Sequence, residues 1–407
     1  MKLIRQGVTA AQGFKASGIT CGIKRSKKKD LALIFSQKPC VAAGAFTTNK
    51  VQASCVVINK EHLKDHCAQA IIANSGNANC MTGKSGFENS RKMAGAVAKA
   101  MKIKPSDVLV ASTGVIGKPL PIKKIVGASA QLAAELNSRG SEHAAAAILT
   151  TDHQNKEMAV EFSIGGRKVR LGAIAKGSGM LHPDMTTHGP KHATMLCFVT
   201  TDAVILPAAL TAALERAVQK SFNTITVDGD MSTNDMVLVL ANGMAANRVI
   251  AEDTKEFRIF AKALEAVCLA LAKEMIRDAE GATKFIEVCV KNAQTKDDAR
   301  RVAKAVAGSN LVKCAVFGED PNWGRIAAAA GYSGAHLDPW KLCIALGSET
   351  VLKNGSRLNR DQSVLNRVFA KKNIKITVDL GLGKFGATAY TCDLSTNYVR
   401  INSAYRT

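Results

Sequence analysis

Lys176 to Ala203, KGSGMLHPDMTTHGPKHATMLCFVTTDA, decides how this chain is read. A Gly-rich approach runs through a Pro-Asp turn and a second Pro turn to Ala193-Thr194-Met195-Leu196, and the sequence then turns apolar at once. An Ala-Thr bond between a loop and a strand is what an autocatalytic N-terminal-threonine enzyme requires. The hydroxyl attacks its own preceding carbonyl, and cleavage frees an α-amine that serves the same hydroxyl as base. On chemistry alone such a pair is more often a plain strand entrance.

Upstream, Met158, Val160, Phe162 and Ile164 alternate, Gly165-Gly166 turns the chain, and Val169 and Leu171 alternate back. This pattern predicts a β-hairpin whose second strand delivers Lys176. Gly18 to Val57 reads as a sheet of short strands, and Ala70 to Ile72 as a buried strand entering a loop at Asn74-Ser75-Gly76-Asn77. Met93, Val97 and Met101 mark an amphipathic helix closed by Pro105. Val108 to Ala111 reads as a strand ending in a turn at Ser112-Thr113-Gly114, and 123–138 as a helix. Downstream, Phe198-Val199 is a strand, Pro207 starts a helix, and Asp253 caps a long one through Phe257, Leu264, Leu271 and Met275. Ile286 to Val290, Val312 to Phe317, Leu342 to Leu346 and Ile374 to Leu380 read as strands, and Ala299 to Ala307 as a helix. Strands and helices so mixed, with hairpin signals, predict an α/β fold of layered sheets covered by helices.

Without an apolar run of about 18 residues the chain carries no signal for a membrane span. The start, MKLIRQGVTAAQGFKASG, lacks the apolar core of a secretory signal, so a cytoplasmic protein is expected. Eleven cysteines with no CxxC pair fit a reducing compartment. The net charge of +22 fits attraction of small anions such as glutamate. Its basic residues are spread out and aromatics make up only 5%, which argues against nucleic acid as a partner. The one dense run, KRSKKK at Lys24 to Lys29, reads as a solvated loop between two strands.

Ten collinear stretches resemble the ornithine acetyltransferase family, the bifunctional glutamate N-acetyltransferases of arginine biosynthesis. They are GAFTTNKVQA from Gly44, ANSGNANCMTG from Ala73, STGVIG from Ser112, TTD from Thr150, KGSGM from Lys176, ATML from Ala193, DGDMSTND from Asp228, RDAEGATKF from Arg277, EDPNWGRI from Glu319 and YVRINSAYRT at the end. The resemblance implies a layered α/β fold of the N-terminal-nucleophile type, DmpA/ArgJ-like. It implies self-cleavage between Ala193 and Thr194 into an α chain, 1–193, and a β chain, 194–407, assembled as two of each. Thr194 would take an acetyl group from N-acetylornithine, release ornithine and pass the group to glutamate; some members also use acetyl-CoA. No cofactor is expected. Thr113 and Gly114 take the oxyanion-hole role by this resemblance, and Thr150, Lys176, Thr194, Glu280, Asn402 and Thr407 the substrate contacts. The residue types fit: Lys176 pairs with a carboxylate and Glu280 accepts from an ammonium.

The chain departs from the family pattern at the nucleophile. There the threonine follows the lysine by eleven positions, which here is Thr187, whereas ATML starts later, after the additional TTHGPKH at 186–192. Thr194 is preferred because it joins directly to a strand, while Thr187 would sit on a mobile segment. The longer loop also leaves room for an uncleaved, silent homologue that binds amino acids, and a similar fold for an amidohydrolase passing the acyl group to water. His182, His188 and His192 crowd the loop, but Gly189-Pro190 breaks helical spacing and no further ligand completes a metal site. Asp228 to Asp235 lacks the glutamate of a calcium loop.

Overall fold

A computed structural model describes residues 1–187 and 195–404. Of the candidate residues, Ala193, Thr194, His188, His192 and Thr407 lie outside the described residues. The chain forms two compact units, 1–223 with 231–275, and 224–230 with 276–406.

The first unit carries, in chain order, β1 (Lys2–Ile4), β2 (Phe14–Ile19), β3 (Leu31–Phe46), α1 (Ser54–His62), β4 (Cys67–Asn77), α2 (Gly83–Met101), β5 (Val108–Val115), α3 (Ile122–Ala134), α4 (Ser141–Ile148), β6 (Lys156–Ile164), β7 (Arg167–Lys176), β8 (Leu196–Thr201), α5 (Pro207–Gln219), β9 (Met236–Ala241) and α6 (Lys255–Arg277). Its sheet runs β1-β6-β7-β8-β9-β3-β4-β5, with β2 also paired to β3. β8 and β9, LCFVTT and MVLVLA, are buried throughout and parallel, the apolar runs expected of central strands. β3 is one long strand, not several short ones: a register break between Phe35 and Cys40 lets its first half pair with β2 and β4 and its second half with β9. The predicted strand content near Val57 is the helix α1. Its Cys55, Val56, Ile58 and Asn59 are buried, and each fully buried aliphatic side chain among them stabilises the unit by about 1.5–3 kcal/mol.

The β6–β7 hairpin turns at Gly165-Gly166 as the alternation predicts. The division expected at 193/194 concerns chain products and is no boundary between these units, because β7 and β8 on either side of it are hydrogen-bonded neighbours. α2 ends at Met101 on a left-handed Lys102, before Pro105 is reached. Asp253 does not cap α6; Thr254 does, its Oγ1 accepting from Phe257 N at 3.1 Å.

The second unit carries β10 (Phe285–Ala293), α7 (Lys296–Gly308), α8 (Asn310–Phe317), α9 (Trp323–Gly331), β11 (Cys343–Leu346), β12 (Glu349–Lys353), β13 (Ser356–Arg357), α10 (Gln362–Phe369), β14 (Asn373–Asp379), β15 (Phe385–Cys392) and α11 (Thr396–Ala404). Its sheet runs β13-β12-β11-β14-β10-β15, with α7 packed on β10 and β15. Val312 to Phe317, expected as a strand, is the helix α8. Val312 and Val316 bury one face at helical spacing, and Ser309 caps the start by accepting from Val312 N.

Candidate active site

β4 and β5 run parallel, and where the sequence predicts turns both strands continue: Asn74 pairs with Ser112, Ser75 with Thr113 and Gly76 with Gly114. Two glycines make this possible. Gly114 has φ +130°, and a Cβ there would lie 2.5 Å from the carbonyl carbon of Gly76; Gly76 itself has φ +95°. Only glycine fits so close a backbone approach at such angles. The two backbones meet without side chains between them.

Three polar side chains hold β5 in place. The Asn59 amide pairs with Val110 in both directions, Val110 N donating to Oδ1 and Nδ2 donating to Val110 O, each at 2.8 Å. That satisfies the outer edge of a strand at the end of the sheet. Asn234 Nδ2 donates to Ser112 O at 2.8 Å and to Ala78 O at 2.6 Å, and Ser112 Oγ donates to Asn74 Oδ1 at 2.7 Å. Each is a buried backbone or hydroxyl group that would otherwise be unsatisfied. The sequence reading singled out none of these asparagines for this task. Asn59 and Asn74 stand in or at the end of apolar runs and Asn234 in the polar DGDMSTND stretch, settings that do not by themselves distinguish a turn from a clamp.

At the end of β7 the Lys176 ammonium, buried, donates to Thr150 Oγ1 at 2.8 Å and to Thr113 Oγ1 at 3.4 Å. Because Thr113 accepts there, its own proton is left to donate to a substrate oxygen. Three of the expected site residues thus meet, with Gly114 next in the chain. Below them lies a group the sequence reading missed. Asp152 is fully buried and accepts from Lys156 Nζ at 2.8 Å, Gly177 N at 2.8 Å and Thr150 N at 3.2 Å, with Lys176 Nζ at 3.9 Å. Burial pushes its pKa up, but the Lys176 and Lys156 charges and these hydrogen bonds outweigh it and hold the carboxyl well below the usual range. One carboxylate therefore stands under two buried ammonium groups, and the balance of charge is positive.

Thr187 is elsewhere in this unit's hydrogen-bond network. Its N–H and Oγ1 donate to Glu215 Oε2 at 2.6 and 2.8 Å, and Thr186 also donates to Glu215. Phe46 N donates to Thr186 O at 3.2 Å. The two threonines line a cleft of about 550 Å3 together with Gln52, Lys60, His66 and Thr211, and none of Thr113, Thr150 or Lys176 lines it. The expectation that Thr187 lacks a fixed position is thus overturned: a carboxylate on α5 holds it. By contrast Leu196, two residues after Thr194, pairs directly with Lys176.

In the second unit Asn402 Nδ2 donates to Glu280 Oε2 at 2.8 Å, and Glu280 is buried. These two expected contacts meet each other. Tyr398 Oη donates to Asp228 Oδ2 at 3.1 Å close by, and burial followed by the Asp228 charge pushes the phenol well above its usual range. No cluster of metal-ligating side chains occurs among the described residues.

A hydroxyl and an N–H-bearing glycine beside a buried ammonium have the chemistry to meet negative charge on a carbonyl oxygen, which is what acyl transfer requires. The chain belongs to the ArgJ family, whose model matches residues 15–407, and it is an acyltransferase of arginine biosynthesis. It is 50% identical over 409 residues to the arginine biosynthesis bifunctional protein ArgJ of Symbiobacterium thermophilum, covering 100% of both chains. It is 48% identical over 419 residues to the glutamate N-acetyltransferase of Methanocaldococcus jannaschii, covering 100% of each. A crystal structure of the arginine biosynthesis bifunctional protein ArgJ from Bacillus halodurans matches with a TM-score of 0.50 at 44% identity, over 51% of this chain and 98% of that one. Among the described residues no helix is long and apolar enough to cross a membrane.

Proposed function

We propose that this chain is a glutamate N-acetyltransferase that cleaves itself before Thr194 and carries an acetyl group from N-acetylornithine to glutamate on the Thr194 hydroxyl. The observation that supports the reading is the pairing of Leu196, two residues after Thr194 in sequence, with Lys176, the lysine that Thr113 and Thr150 share. The competing threonine, Thr187, has its hydroxyl committed to Glu215. The chain of the Bacillus halodurans structure spans about half of this one, a length that fits one product of cleavage near the middle.

In processing, the Thr194 hydroxyl adds to the Ala193 carbonyl, the amide C–N bond breaks, and water hydrolyses the resulting ester to leave a carboxylate and a free α-amine. That amine, with an unperturbed pKa of about 8, then takes the hydroxyl proton as Thr194 attacks the acetyl carbon of N-acetylornithine. Thr113 Oγ1 and Gly114 N–H face the developing oxyanion. The amide bond breaks, the proton passes to the departing amine of ornithine, and the acetyl-threonine is attacked by the amine of glutamate. Lys176 pairs with the substrate carboxylate beside Thr150, and the family resemblance assigns Glu280, Asn402 and Thr407 as further substrate contacts. Acetyl-CoA is a second acetyl donor, no cofactor takes part, and two α and two β chains assemble.

Intact mass and N-terminal sequencing of the purified protein test this. The expected fragment begins Thr-Met-Leu-Cys. A fragment beginning Thr-His-Gly moves the nucleophile to Thr187, and a single uncut chain with no transferase activity overturns the reading.

A further inference from the structure

The KRSKKK run, expected as a solvated loop, is solvated only in part. Arg25 to Lys28 are exposed, but Lys24 and Lys29 are half-buried, and the loop is built around Asp30. The Asp30 carboxylate is fully buried and accepts from Cys21 N at 2.7 Å, Ile23 N at 2.6 Å and Lys24 N at 3.0 Å. Its backbone carbonyl accepts from Ser75 N at 3.0 Å. Asp30 thereby clamps the loop to β4 one residue before Gly76. Lys29 Nζ donates to Gly18 O at 2.7 Å and Lys124 Nζ to Gly22 O at 2.6 Å, fixing the loop's other side.

This clamp lays Lys24 over the oxyanion strands. A Cβ built on Gly76 would lie 3.1 Å from Lys24 Cγ and 3.2 Å from Ile23 Cγ2, so the Lys24 stem covers the glycine against which Gly114 packs. Its ammonium donates to Lys29 O at 2.8 Å, one of three available donors. Its charge interacts with Lys176 and Asp152 of the acyl-transfer centre. Asp30, the nearest carboxylate in the loop, is already committed to three backbone amides.

We infer that Lys24 is a positioning residue of the acyl-transfer centre: its stem supports the Gly76–Gly114 pair, and its ammonium adds to the positive charge of the centre. The inference rests on the reading of Thr113 and Gly114 as oxyanion donors. The charged groups that act on it are Asp30 and Lys28 in the loop and Asp152 and Lys176 in the centre, with Lys29 and Lys124 tied to the carbonyls of Gly18 and Gly22. Burial above all, joined by Lys176 and Lys28 and opposed by Asp30 and Asp152, brings its pKa down to about 8. The ammonium therefore loses its proton within the working range of an enzyme whose base is an α-amine.

The test uses the processed enzyme, with K24M keeping the stem without the charge and K24R keeping the charge at every accessible pH. Acetyl transfer from N-acetylornithine to glutamate is followed from pH 6 to 10. K24M should lose about tenfold in kcat with KM for glutamate within about twofold, and K24R should regain most of it. The wild type should decline above pH 8, and K24R should not. Equal losses in K24M and K24R with an unchanged pH profile would assign Lys24 a merely structural role and overturn the inference. T113V separates the premise: if T113V retains full kcat the oxyanion reading fails, whereas a T113V loss with wild-type K24M activity refutes Lys24 alone.

Discussion

Asp152→Asn removes one negative charge and little volume from beneath two buried ammonium groups, and the consequence is calculable. At 2.8 Å from Lys156 and 3.9 Å from Lys176 the gross attractions are about 6 and about 4 kcal/mol at an effective dielectric of 20. Burying three charges consumes much of this, so the trio is no large net source of stability. Breaking it is another matter. The lysine side chains are 2% and 4% exposed and cannot turn to water, so D152N leaves two cations without their counter-charge, a loss of about 3–5 kcal/mol. The asparagine must also turn its N–H₂ either to Lys156 Nζ and Gly177 N, which share Oδ1, or to Thr150 N and Lys176 Nζ on the Oδ2 side, all of them donors. Urea denaturation of purified wild type and D152N, with fluorescence and circular dichroism as readouts, should show the mutant midpoint far lower. The double variant D152L/K156M, which leaves one uncompensated cation where D152N leaves two, should recover part of the loss. Asp152 has a depressed folded pKa, so its contribution is present above the unfolded value and is lost only as pH falls through the folded one. The difference between wild type and D152N should therefore be flat from pH 5 to 9 and narrow only in acid. A D152N midpoint within about 1 kcal/mol of wild type at pH 7 would refute this account of the centre.

Other outcomes follow from the strands above it. Gly114→Ala places a methyl carbon 2.5 Å from Gly76, so β4 and β5 must separate and kcat should fall by about 10²-fold or more, read by steady-state acetyl transfer. Asn234→Ala strands the carbonyls of Ser112 and Ala78 and should destabilise by about 1–3 kcal/mol in thermal unfolding, with loss of activity because Thr113 adjoins Ser112.

How legible this was depends on what each residue needed from afar. The β6–β7 hairpin could be read because alternation and a Gly-Gly turn are local signals. Thr113, Thr150, Lys176, Glu280 and Asn402 came from resemblance alone, and the structure brings the first three together and the last two together. Asn74 to Asn77 and Ser112 to Gly114 were read as turns because Asn, Ser and Gly favour turns when isolated. They are strand because each segment supplies the other's partner across 38 residues of sequence. Val312 to Phe317 failed because a short apolar run looks alike in strand and helix, and the Ser309 cap was overlooked. Lys24 was missed because the KRSKKK run reads as a solvated loop, and Asp152, the last residue of the TTD stretch, because nothing local marks a carboxylate for burial; only the fold shows that they are buried in part or in full.

The added TTHGPKH segment can be argued from its first two residues. Thr186 and Thr187 are bound to Glu215, whose carboxyl burial would raise but whose hydrogen bonds, from Thr187 N and Oγ1, Gln219 and Thr186, hold below its usual value. The chain from this anchor to Leu196 is correspondingly shorter than the insertion suggests. Glu215→Ala frees two residues, and lengthening a loop from about seven to nine costs only about 0.2 kcal/mol in closure entropy. The hydrogen bonds are worth more, about 1.5–3 kcal/mol each where the acceptor is charged, though water replaces them in part. E215A should therefore slow self-cleavage several-fold without abolishing it, followed as the decay of the 43.0 kDa precursor on denaturing gels after synthesis. The depressed pKa fixes the sign of the pH effect: the anchor persists above the ordinary carboxylate range and loosens as pH falls through the folded value, so wild-type processing should approach the E215A rate only in acid. Complete loss of cleavage in E215A with the fold intact would instead make Thr187, the threonine that Glu215 holds, the nucleophile, and Glu215 its base.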